Sequence, residues 1–308
     1  MTRAGRGELY AALAAIGYGS AYVATAFALR SFEPLPAAVY RSLFAAVALG
    51  AVLVVMRRGR ASATAAPAAA PGPSSRVRAI HLAAIAAFGG PIFLGAMNLA
   101  VAGVGATIAS FVAGLYAILA AVLAPFVLRE PLRRVALGGF VAALVGTALL
   151  AELDLAGPGT AGIAWGLLAA VSFALFLVLS RRWSRVDGLD GVTIGVATMA
   201  GTTVALGAVV AVTTPAALVP GVVVPEAAVA IAWLAVVAAA GPVLAVSSLR
   251  LVPASRTAAF LLLNPISAAI LSFVLLGERA TPAQVLGAAF VLLGMAAATI
   301  QRSHRPIG

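Results

Sequence analysis

Apolar residues in this chain fall in long runs, separated by short stretches of Pro, Gly and charge. Each run is about 18–25 residues, the length a helix needs to cross a bilayer's hydrocarbon layer. Ten runs are read, with cores near 9–29, 35–56, 80–100, 104–128, 134–151, 160–180, 191–213, 227–249, 255–276 and 282–300. Turns such as SFEPLP at 31–36 and ELDLAGPGT at 152–160 interrupt them with residues that break helices. The alternation of a barrel strand is absent. The pattern predicts an all-α polytopic membrane protein of about ten transmembrane helices.

Composition removes the main competitor. Hydrophobic residues make up 63% and charged residues only 9%. A soluble domain carries about 25% charged residues, so there is too little polar surface here to cover a globule. The basic residues are all arginine, and the formal charge is +11. They sit at the ends of apolar runs and form no basic face with interleaved aromatics, which argues against a nucleic-acid partner. Their distribution orients the chain instead. With the N-terminus inside, all but Arg30, Arg41 and Arg279 fall on the cytoplasmic side. The positive-inside rule therefore predicts a multi-pass protein of the cell (inner) membrane with both termini cytoplasmic. Arg3 and Arg6 before an apolar run resemble a signal peptide, but that run is too long for one and reads as a first membrane helix. Residues 57–78, rich in Ala, Pro, Ser and Arg, read as a flexible cytoplasmic tether.

The chain also repeats itself. LYAILAAVLAPFVLREPLRRVALGGFVAALVG (115–146) aligns without a gap on LNPISAAILSFVLLGERATPAQVLGAAFVLLG (263–294). Leu115 meets Leu263, Ile118 meets Ile266, Glu130 meets Glu278, Gly139 meets Gly287 and Gly146 meets Gly294. Chance likeness between Ala/Leu-rich helices is the competing reading. A repeat divides the chain into residues 1–151 and 152–300, each with five spans, followed by a cytoplasmic tail at 301–308. Five is odd, so the second copy begins on the side opposite to the first. Two inverted five-helix repeats are a known plan of secondary transporters, with solute bound near the midplane between the halves.

The stretch LRLVPASRTAAFLLLNPISAAILSFVLLGERATPAQVLGAAFVLLG resembles the last three spans of the EamA family, within the drug/metabolite transporter superfamily. The first half is similar more loosely, through LPAAVYRSLFAAVALG (35–50) and LAVAGVGATIASFVAGLYAILAAVLAPFVLREPL (99–132). The resemblance implies ten helices and export or facilitated movement of small metabolites, amino acids among them. One departure from the family is that Pro265 is matched by Ala117, with Pro125 farther along.

Several residues are candidates for a substrate pathway. Pro265 lacks an N–H and displaces the carbonyl of Leu261, so it is a helix hinge whose freed backbone must meet a neighbour or a cavity. Thr257, Phe260, Asn264 and Ser267 share its face. Tyr18 and Tyr22 mark the first span, Asn98 the third, Ser110 the fourth, and Trp165, Ser172 and Phe176 the sixth. Each polar stripe could equally be helix–helix glue. Arg41 lies roughly 8 Å down the second span, where charge is costly and functional by default. Its fork of donors suits a carboxylate, while snorkelling to the surface is the alternative. Glu130 and Glu278 stand at turns, where each is expected to cap the helix that follows it; ion coupling is the other reading. His81 reads as interfacial.

No catalytic motif, metal-ligand cluster or phosphate loop is visible, so neither an enzyme nor a cofactor is expected. The function that fits is a secondary transporter of small organic metabolites, an exporter or facilitator working by alternating access. A membrane-embedded enzyme or lipid-handling protein is the alternative.

Overall fold

A computed structural model of the chain describes residues 2–61, 74–128, 159–252 and 263–299, together with scattered positions in 138–149 and at 257, 260 and 261. It is helical throughout, with no strand among the described residues. Ten helices can be labelled: α1 Arg3–Ala28, α2 Pro34–Ala61, α3 Ser75–Ala87, α4 Phe93–Gly114, α5 Tyr116–Leu128, α6 Thr160–Val186, α7 Gly191–Thr213, α8 Pro225–Leu251, α9 Leu263–Leu271 and α10 Pro282–Thr299.

These labels are not ten crossings. Six helical runs are long and apolar enough to span a bilayer: Ala4–Ala28, Pro34–Arg58, Ser75–Ala120, Thr160–Ser184, Gly191–Thr213 and Pro225–Leu251. Two shorter apolar helices, Leu263–Leu276 and Pro282–Gly294, follow. The described positions within 138–149, where a fifth span is expected, are helical.

Local chemistry sets the ends. Thr2 caps α1 by accepting from the Gly5 N–H at 3.1 Å, and Asp190 caps α7 through the Thr193 N–H at 2.8 Å. Helix α8 opens with Pro225 and Glu226 and closes with Arg250, an order that suits the helix dipole. The break expected at 101–103 falls instead at Gly105, where φ is 76° and ψ 172°. Only glycine holds that backbone without strain. Gly277, also left-handed at φ 67°, ends the π-helical turn Ser272–Leu276 that follows α9. At the ends of the expected tether, 57–78, α2 runs on to Ala61 and α3 starts at Ser75, capped by Ser74; residues 62–73 lie outside the described residues.

Helices from the two halves interleave. Helix α1 packs on α8 and α9, as α6 packs on α4 and α5; α2 packs on α7, and α10 on α5. Exchanging the halves carries the pairings of α1, α6, α2 and α7 onto one another; the counterpart of α10 on α5 would involve residues outside the described ones. Glycines permit the closest approaches. A Cβ on Gly146 would lie 2.6 Å from the Gly287 carbonyl oxygen and 2.7 Å from the Val291 nitrogen. Neither backbone atom can yield cheaply. Gly146→Ala is therefore expected to lower stability by about 1–3 kcal/mol. Gly138→Ala, with open space around it, is the neutral control. Thermal unfolding in detergent checks this; equal behaviour of the two variants would contradict the close contact. Outward faces carry large apolar side chains such as Val55, Phe126, Val212 and Phe273, as lipid contact requires.

Candidate functional site

Helices α1, α2 and α4 through α9 meet around a cavity of about 40 Å³. That is room for about three water molecules. Its walls are aromatic. The Phe173 ring centroid lies 4.6 Å from Phe93, 4.8 Å from Tyr116, 5.4 Å from Phe176 and 5.6 Å from Tyr18. The Tyr18 and Tyr116 contacts are edge-to-face, at 82° and 76°, the geometry aromatic quadrupoles favour.

Arg41 enters this apolar setting. It is 2% exposed, so it does not snorkel. One Nη2 contact reaches the Met97 sulfur at 3.9 Å, and Nε has no hydrogen-bond partner. None of the described residues lining the cavity is acidic. The Tyr18 hydroxyl and Asn264 Oδ1 are also buried without partners. Buried polar groups are normally satisfied, and an uncompensated buried charge is the most costly exception. Three such groups converging on one cavity point to a solute that completes them.

Of the expected pathway residues, Tyr18, Tyr22, Arg41, Phe176 and Asn264 line this cavity. The others lie elsewhere. Asn98 Nδ2 donates to the Pro34 carbonyl at 2.8 Å and so ties α4 to the start of α2. Ser110 Oγ donates to the Thr107 carbonyl in its own helix at 2.7 Å. Ser172 Oγ donates to the Phe88 carbonyl at 2.7 Å, satisfying backbone in the π-helical turn Phe88–Ile92. Ser267 Oγ bonds back to Leu263 and Asn264 carbonyls, against Gly19. Trp165 is 40% exposed on the outer surface. It shares a helical face with Ser172, but among the described residues the close approaches at that end of α6 are at Gly162 and Gly166, to Gly103, Val104 and Val112.

Pro265 is buried in α9, and the freed Leu261 carbonyl accepts from the Tyr116 hydroxyl at 3.5 Å. The hinge's unpaired backbone thus meets a side chain from the other half. Tyr116, Phe173, Phe93 and Pro242 are cavity residues that sequence reading missed. A signal existed for Pro242: Gly90–Pro91 and Gly241–Pro242 place the same helix-disrupting pair in the third and eighth spans. The rule applied to Pro265 applies to them too.

Glu278 caps a helix, though not the one after it. Its carboxylate accepts from the Ala106 and Thr107 N–H groups at 3.3 Å each and from the Thr107 hydroxyl at 2.5 Å. Those groups begin the helix that follows Gly105, in the first half. The Gly105 break leaves them unpaired within their own helix, and the turn at Gly277 delivers the carboxylate to them. Glu130 lies outside the described residues. His81 Nδ1 pairs with buried Asp187 at 2.8 Å and stacks on Trp183 at 4.1 Å. Among the described residues no group of His, Cys, Asp or Glu could hold a metal ion.

The model of the EamA-like transporter family matches residues 5–151 and again 160–300. The chain belongs to this family. This EamA-like protein is therefore a membrane transporter family member of two-repeat architecture, set in a lipid bilayer and acting on small solutes. No curated protein matches its sequence. A solved structure, described only as a crystal structure of a protein, is similar to it in fold. The two are 19% identical over 96% of this chain and 98% of the other, with a TM-score of 0.65.

Proposed function

We propose that this EamA-like protein is a secondary carrier of small organic solutes bearing a carboxylate, amino acids among them, working by alternating access. The observation that carries the reading is Arg41, buried with no described acid lining its cavity, beside the unpartnered Tyr18 hydroxyl and Asn264 Oδ1 within aromatic walls. A carboxylate would accept the guanidinium's paired donors, and the rings would hold an apolar or aromatic body. The chain crosses the inner membrane ten times, in two inverted five-helix repeats at 1–151 and 152–300, with both termini cytoplasmic. The Gly105 break supports two passes within Ser75–Ala120, whose 46 residues exceed one bilayer crossing. The exchange-symmetric helix contacts support two halves able to rock about the cavity. At about 40 Å³ the cavity is closed down around no more than a few waters, so solute entry requires one end to part.

Counterflow in proteoliposomes with a panel of radiolabelled amino acids and neutral analogues tests the reading. Folded protein that moves none of them counts against a carrier of this class. Asn264→Ala is expected to reduce counterflow by about tenfold, by deleting a solute hydrogen bond, while leaving expression near wild type. Parallel loss of both would make Asn264 a packing residue.

A further inference from the structure

A second pocket lies away from the cavity, where the arginine-rich end of α6 meets the end of α8 that carries Arg250. It has a volume of about 200 Å³ and is lined by Ser180, Arg181, Ser184, Val246, Leu249 and Arg250. Ser180 is 1% exposed, and the hydroxyls of Ser180 and Ser184 are buried without hydrogen-bond partners. They stand one helical turn apart on α6, so both face α8. Arg250 commits one hydrogen bond to the Leu189 carbonyl, at 2.9 Å, and its guanidinium has further donors. None of the described residues lining the pocket is acidic. Two acids on this end are engaged elsewhere, Asp187 through Oδ2 with His81 and Asp190 with the Thr193 N–H.

We propose that this pocket is a binding site for a phosphate anion, recognised by the two guanidinium groups with the paired serine hydroxyls as additional donors. Two arginines flanking two hydroxyls give planar forks and neutral donors converging on one tetrahedral anion, the combination phosphate recognition uses. A pocket between helices at a basic membrane surface is also where an anionic lipid headgroup can reach. The shared chemistry is the phosphate oxygen set, carried either by a lipid phosphodiester or by free phosphate. Nothing in this assignment depends on the carrier reading.

The test is titration of the purified full-length protein in neutral detergent at fixed ionic strength, followed by melting temperature and native mass spectrometry. The probes are dioleoyl phosphatidylglycerol, dioleoyl phosphatidylcholine and inorganic phosphate. One saturable phosphatidylglycerol site is expected, weaker for the zwitterionic lipid. It should weaken about tenfold in Arg181→Gln/Arg250→Gln and about threefold in Ser180→Ala/Ser184→Ala. Competition by inorganic phosphate, or binding of inorganic phosphate alone, also supports the site and assigns it to the free anion in the second case. The serine pair leaves every charge in place, so it decides the matter if the arginine variant does not fold. Absence of a saturable site for both probes overturns the proposal. So does binding that the serine pair leaves unchanged, since diffuse attraction to an arginine-rich surface does not depend on two buried hydroxyls.

Discussion

Arg41→Met is expected to abolish counterflow of carboxylate-bearing solutes and, at the same time, to make the protein more stable. The two effects have one cause. Arg41 is 2% exposed, with no described acid lining its cavity and only a sulfur contact at 3.9 Å. Even buried ion pairs are often replaced by apolar residues with a gain of about 1–4 kcal/mol, and a guanidinium without a counter-ion has more to gain than a paired one. Met matches much of the side chain's length and adapts to an irregular cavity. A residue that helps the fold would behave in the opposite way, and its loss would lower the melting temperature. The functional loss follows from the other side of the same balance. A bidentate guanidinium–carboxylate contact is worth about 1.5–3 kcal/mol, or roughly ten- to a hundredfold in affinity. Arg41→Lys should recover part of it, because an ammonium restores the charge but not the fork. Thermal unfolding and counterflow on the same preparation check both halves. A destabilised Arg41→Met, or an equal loss for carboxylates and neutral analogues, would remove Arg41 from the binding role.

Much of this was legible in the order of residues, because burial in lipid leaves few options for polar groups. Pro265 required a partner for the Leu261 carbonyl, and Tyr116 supplies one. Arg41 was conspicuous for the same reason. The partner's identity was not legible, since Tyr116 comes from a helix far away in the chain and one phenol looks like another in an apolar run. Periodicity reports which residues share a face and not whether that face meets the cavity, so it did not separate Trp165 on the outer surface, or Asn98, Ser110, Ser172 and Ser267 with hydrogen bonds to backbone carbonyls, from the residues that line it. The Gly105 break was missed because either glycine in AVAGVGAT can hold a backbone with φ of 76°, and composition does not choose between Gly103 and Gly105. The role of Glu278 was half visible. A carboxylate just past a helix suggests a cap, but the recipient helix is set by tertiary packing.

That cap carries the second large effect. Glu278→Ala is expected to cost about 2 kcal/mol and to loosen one end of the interface between the halves. The carboxylate reaches two N–H groups and one hydroxyl at the start of the helix after Gly105. It therefore joins the turn after α9, in the second half, to the turn inside α4, in the first. Gly105→Ala should act on the same joint from the other side. Its backbone costs a non-glycine residue about 1–3 kcal/mol, and its Cβ would sit 3.2 Å from Glu278 Oε1. Because both changes disturb one contact, their effects should fall short of additive in a double-mutant cycle. Glu278→Gln, which keeps the acceptor and loses the charge, should cost less than Glu278→Ala. The chain has no cysteine, so a single introduced thiol reports access cleanly. Ser110 is fully buried one turn inward of the cap, with its hydroxyl on the Thr107 carbonyl. A Ser110→Cys probe should react slowly with an impermeant maleimide in the wild-type background and faster with Glu278→Ala. If this end must part for solute to pass, the cap is what holds it shut, and labelling should rise even where counterflow persists. Unchanged labelling alongside reduced stability would leave Glu278 as a helix cap with no part in opening.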